Sequence, residues 1–112
     1  MTVKGNVSAS GASATAVRIG GGASVPEVNV SGKIEAQGAN AANARTVALQ
    51  VDAGGFVTEI NNSGQIKATA GGTASVNGAT ATAILDRSGE IDLVNNSGTI
   101  SATGASAGGN IA

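Results

Sequence analysis

Acid–base chemistry in this 112-residue chain would fall to Asp52, Glu59, Asp86 and Asp92. Two such carboxylates facing one another across a groove can cleave a glycosidic bond, one as acid and the other as base or nucleophile. The spacing argues against that use. Asp52 and Asp86 stand at matching points of "DAGGF" and "DRSGE", but the third matching point is Gly20, so the column reads as turn chemistry. His, Cys and Tyr are absent, which removes the imidazole base, the thiolate ligand and the phenol. "GGG" at 20–22 lacks the lysine and the helix of a phosphate loop, and the glycines form no calcium-binding nonapeptide repeat. The chain is expected to have no catalytic residue, no metal site and no cofactor.

Two binding chemistries are weighed beside catalysis. "NNS" at 61–63 and 95–97 matches a glycosylation acceptor, but that motif is short and frequent. Flat threonine arrays can match ice, and "TAT" at 80–82 is suggestive. Its equivalents are "TVA" at 46–48 and "ATA" at 14–16, which puts Thr82 over Ala48 and Ala16 and breaks the array. A net charge of −1 and a single aromatic residue, Phe56, leave neither the basic footprint nor the stacking platforms that nucleic acid requires. No apolar run approaches the ~20 residues of a membrane span. "MTVKGNVSASG" lacks the apolar stretch of a signal peptide. The absence of cysteine fits the cytosol, or a secreted protein without disulfides.

The elements that would position these residues are written in a repeat. "NNSG" occurs at 61–64 and 95–98, with "NVSG" at 29–32. Anchored on Gly5, Gly32, Gly64 and Gly98, the copies align Val7, Ile34, Ile66 and Ile100 in one column and Ala9, Ala36, Ala68 and Ala102 in the next. That alternation of period two predicts a strand with one buried face. Upstream of the phrase stand Val28, Ile60 and Val94, then Val25, Val57 and Ile91. Further back come Ile19, Val51 and Leu85, and two places before them Val17, Leu49 and Ala83. "GGGAS", "DAGGF" and "DRSGE" have one length, so the difference between copies falls in "SGASA", "QGANAANAR" and "TAGGTASVNGA".

A fixed register with one elastic loop is what stacked coils require, because loop growth costs only ~0.6 kcal/mol per doubling while strands must lie over their equivalents. The predicted fold is therefore an all-β single domain over 1–112, a parallel β-helix (β-solenoid) of about three and a half coils. Its coils run at about 5–31, 32–63 and 64–97, with a partial coil at 98–112. Three short strands per turn share a core that no coil could bury alone. Asn29, Asn61 and Asn95 fall at one corner and would pass amide hydrogen bonds from coil to coil, with Ser-Gly closing the corner. Outward columns are polar, and Glu35 is expected to pair with Lys67 on the next coil.

The recurring "I-N-N-S-G-x-I-x-A-T", followed by a Gly/Ala/Ser-rich segment and an "A-x-A-I" strand, resembles the passenger repeats of autotransporters and other large bacterial surface proteins. The resemblance spans Gly5 to about Thr103. It implies a right-handed parallel β-helix and a non-catalytic structural or adhesive module, extracellular or at the bacterial cell surface, of the kind used in adhesion and biofilm. The alternative is a flat-face binding module for ice or carbohydrate. Translocator barrel, signal peptide and C-terminal cap are not recognisable in the sequence. The expected partner is either a second copy stacked head to tail into filaments or the flanking coils of a longer chain, with no nucleic acid and no membrane span. Such stacking would join Val7 and Ala9 of one end to Ile100 and Ala102 of the other, as the assembly ends.

Overall fold

The computed structural model describes residues 1–11, 13–38, 45–69, 77–103 and 108–111. Most of the segments whose length varies between copies, 39–44 and 70–76, lie outside the described residues. The chain is all-β, with strands β1 Thr2–Val3, β2 Asn6–Gly11, β3 Thr15–Ile19, β4 Glu27–Val30, β5 Lys33–Gly38 and β6 Arg45–Val51. They continue as β7 Glu59–Asn62, β8 Gln65–Thr69, β9 Asn77–Asp86, β10 Leu93–Asn96, β11 Thr99–Thr103 and β12 Gly108–Ile111. Three four-stranded sheets result, in the orders β1-β4-β7-β10, β2-β5-β8-β11 and β3-β6-β9-β12. Every pairing is parallel. Each strand therefore hydrogen-bonds its equivalent one turn away, the arrangement of a parallel β-solenoid. Among the described residues, no helix is long and apolar enough to cross a membrane.

The second sheet keeps the register of the repeat: Val7, Ile34, Ile66 and Ile100 pair in one column, Ala9, Ala36, Ala68 and Ala102 in another. In the first sheet Val28 pairs with Ile60, which pairs with Val94. Ile34, Ile66, Val28 and Ile60 are fully buried. Their burial contributes ~1.5–3 kcal/mol apiece, which makes these stacked β-branched columns the main stabilising element of a chain otherwise rich in small residues.

The third sheet changes its buried side partway along. Ala14 and Ile19 are buried while Thr15 and Arg18 are exposed, with Ala16 and Val17 both packed against the core. Ala48 and Leu49, adjacent in β6, are likewise both fully buried. The ladder skips this point, pairing Val47 with Thr82 and then Leu49 with Ile84. Thr46 is also fully buried, and its hydroxyl has no hydrogen-bond partner among the described residues.

Three expectations are corrected. In the third copy, Ile84 pairs with Leu49, Leu85 with Gln50 and Asp86 with Val51, so Leu85 leaves the inward column of Ile19 and Val51. The segment before β9 is one residue longer than the repeat implies and the turn after it one residue shorter, since Leu93 is back in register with Glu59. The two changes cancel in the total length. Secondly, Thr2–Val3 already forms a strand on Asn29–Val30, ahead of the coil that begins at Gly5. Thirdly, the last coil has a second strand, β12, on β9.

Candidate functional site

The repeated phrase builds a corner between the first sheet and the second. Asn29, Asn61 and Asn95 are in register there. Asn61 Nδ2 donates to Asn29 Oδ1 at 3.0 Å, and Asn95 Nδ2 to Asn61 Oδ1 at 2.8 Å. Glutamates join the ladder: Asn29 Nδ2 donates to Glu27 Oε1 at 2.6 Å and Asn95 Nδ2 also to Glu59 Oε1 at 3.2 Å. The amides of both N-x-S asparagines, Asn61 and Asn95, are thus engaged between coils.

A second ladder lies on the inner side, and sequence reasoning missed it. Asn62 is 2% exposed, in a column with Val3, Val30 and Asn96. Its Nδ2 donates to Asn96 Oδ1 at 2.8 Å and to the Thr99 carbonyl at 3.0 Å, while its Oδ1 has no partner among the described residues. The signal was the doubled asparagine, present in the second and third copies but replaced by Asn-Val in the first. Ser31, Ser63 and Ser97 form a third column, their hydroxyls donating to the carbonyls of Val3, Val30 and Asn62.

The glycine that closes each phrase is required by close approach. A Cβ on Gly32, Gly64 or Gly98 would overlap the carbonyl oxygen of Gly5, Gly32 or Gly64, one coil away. Three glycines with positive φ sit elsewhere, in the turn after the third sheet: Gly22, Gly54 and Gly89, with φ of 84°, 85° and 73°. Along the corner runs an open groove of about 420 Å³, bordered by the three ladder asparagines and Ser31, Ser63 and Ser97. The amides of Asn29, Asn61 and Asn95 and the hydroxyls of Ser31, Ser63 and Ser97 are already hydrogen-bonded between coils or within the corner.

The carboxylates singled out above do not gather at this groove. Asp52 accepts from Gln50 Nε2 at 2.6 Å and Arg18 Nε at 2.7 Å, and these two bonds hold its carboxyl below the usual range. Asp86 does not share the Asp52 column, because the slipped register pairs it with Val51. It caps its own turn, accepting from the Ser88 hydroxyl at 2.5 Å and from the Ser88 and Gly89 amides. Partial burial works against ionisation of Asp86, but these donors outweigh it and its carboxyl titrates low. Glu59 belongs to the asparagine ladder. Glu35 does lie beside Lys67 in register, yet it pairs with Lys33 along its own strand, at 2.9 Å, rather than across coils.

The same slip revises the threonine array. Thr82 lies over Val47 and Thr15, not over Ala48 and Ala16. Val7 and Ala9 in β2, and Ile100 and Ala102 in β11, are half-buried on the outermost strands of the second sheet. No family model, curated protein or solved structure matches the chain.

Proposed function

We propose that the chain is a non-catalytic structural or adhesive module, of autotransporter-passenger type, in a bacterial cell-surface or extracellular protein. The observation behind this reading is the corner itself. Its repeated residues are used to hold one coil on the next: an outer amide ladder, an inner one, a serine column and a glycine that only a bare backbone can occupy. A site for turnover would instead converge on a substrate. In this reading the working surface is the stack, and the partners are further coils in the same register, supplied by a longer chain or by a second copy set head to tail. A heterologous contact between copies does not close on itself and generates a filament.

Electron micrographs and sedimentation of the purified chain at two concentrations test the proposal. Rods of constant width that lengthen with concentration are expected. Compact monomers at every concentration, combined with thermal hysteresis of freezing, would replace it with the ice-binding alternative. That alternative has Val47 interrupting its threonine column.

A further inference from the structure

We propose that the outward face of the third sheet binds a segment of an anionic polysaccharide, with Arg45 and Arg87 as its charged contacts. This inference rests on the cleft alone and not on the scaffold reading. All three arginines of the chain, Arg18, Arg45 and Arg87, border one open cleft of about 250 Å³. A single carboxylate bonds any of them: Asp52 takes Arg18, at 2.7 Å. Among the described residues no other carboxylate bonds an arginine, so Arg45 and Arg87, both exposed, have no salt bridge there, although the Asp52 carboxylate also feels the Arg87 charge. A chain with net charge −1 thus concentrates unpaired positive charge on one face.

The register sets the shape of the ligand. Arg45 begins β6, whereas Arg87 lies past its far end, its amide donating to the Val51 carbonyl. At ~3.3 Å per residue the two backbones are separated by roughly 20 Å along the strand direction. A small anion bound at one arginine would leave the other without a partner. A polymer bearing repeated anionic groups can satisfy both, and the planar guanidinium fork suits carboxylate and sulfate alike. Between the arginines the floor is mixed: Val47 and Leu85 are apolar, and Gln50 supplies an amide. Leu85 reaches this face only through the one-residue slip in β9. Apolar carbon with interspersed hydrogen-bonding groups matches the two characters of a sugar ring. Nucleic acid, the competing polyanion, would need aromatic platforms for its bases, and the cleft has none.

The test is calorimetric titration of the full chain with heparin, polygalacturonate, neutral dextran and oligothymidylate, at low and at physiological salt. Binding to heparin or polygalacturonate and not to dextran is expected, and whichever binds identifies sulfate or carboxylate as the group recognised. The double variant Arg45→Gln/Arg87→Gln should bind at least about tenfold more weakly, the loss of charge-assisted hydrogen bonds. Lys67→Gln, on the second sheet, should change affinity less than about twofold. Wild-type Arg side-chain NMR resonances, followed during the same titration, should shift for Arg45 and Arg87, which keeps the test decisive if the double variant misfolds. Failure to bind either acidic polysaccharide, equal binding of oligothymidylate, undiminished binding by a folded double variant, or unmoved Arg45 and Arg87 resonances would each overturn the proposal.

Discussion

Gly64 shows how little space the corner leaves: a methyl group there would overlap the Gly32 carbonyl, whereas one on Gly5 would meet nothing within 4 Å. The obstacle is backbone held by ladder hydrogen bonds, so it cannot swing aside as a side chain would. Gly64→Ala should therefore destabilise the fold by about 1–3 kcal/mol, the usual range for overpacking, while Gly5→Ala should be near neutral. Urea melts of the two variants measure this, and equal midpoints would show that the coils do not approach as closely as described. A second residue-scale outcome concerns acid. The Gln50 amide and the Arg18 guanidinium lower the Asp52 carboxyl in the folded state. A depressed carboxylate contributes stability that is present above the unfolded value of ~3.9 and is lost as pH falls through the folded one. Wild type should thus be more stable than Asp52→Asn at neutral pH, and the two melting curves should converge as pH drops from about 5 to about 2. A gap independent of pH would mean that the ionised carboxylate is not what stabilises the turn.

Among the elements, the third sheet separates what periodicity conveys from what it conceals. The second sheet and the corner were legible because each copy marks them with its own anchor: a glycine, then an isoleucine or valine two residues on, then alanine two further. The β9 register was not, because its loop is longer by one residue and its turn shorter by one, leaving the copy length unchanged. An alignment by total spacing puts Leu85 inward. The structure instead packs Ile84 against the core and leaves Leu85 beside the arginine cleft. The inner asparagine ladder escaped notice for another reason: its column mixes valine with asparagine, and Asn62 is tolerated there because Asn96 and the Thr99 carbonyl accept its protons. The slip predicts a reversal of mutational cost. Ile84→Asp should place a charge against the core and lower stability by several kcal/mol or prevent folding, while Leu85→Asp should cost about 1 kcal/mol or less. Circular-dichroism melts of the pair decide it; greater damage from the Leu85 substitution would restore the unslipped register.

For the whole molecule, the question is which coil fits best on the outer edge formed by β10, β11 and β12. Leu93 and Val94 are 49% and 43% exposed on that edge, so a further coil would cover apolar surface as well as unpaired backbone. A second copy continues the columns of the second sheet well, setting Val7 over Ile100 and Ala9 over Ala102. It fits the first sheet less well. The column that runs Val3, Val30, Asn62, Asn96 would continue with Val3 of the next copy, above an asparagine whose own amide nitrogen has no partner among the described residues. Burying that amide unsatisfied costs about 1–3 kcal/mol, a cost that a coil with asparagine in this column avoids. Copies should therefore stack weakly, and the inner ladder biases the edge toward coils that repeat "NN". Replacing Asn96 by valine costs Asn62 one acceptor in the monomer and the stack alike but removes the mismatch at the edge, so Asn96→Val should shift self-association to a lower concentration by about tenfold or more. Ile100→Lys puts a charge at the centre of the contact and should abolish association while leaving the lower coils folded. Sedimentation velocity across a concentration series compares the three proteins. Association unchanged by either substitution would show that copies meet through some other surface, because no head-to-tail stack can avoid both residues.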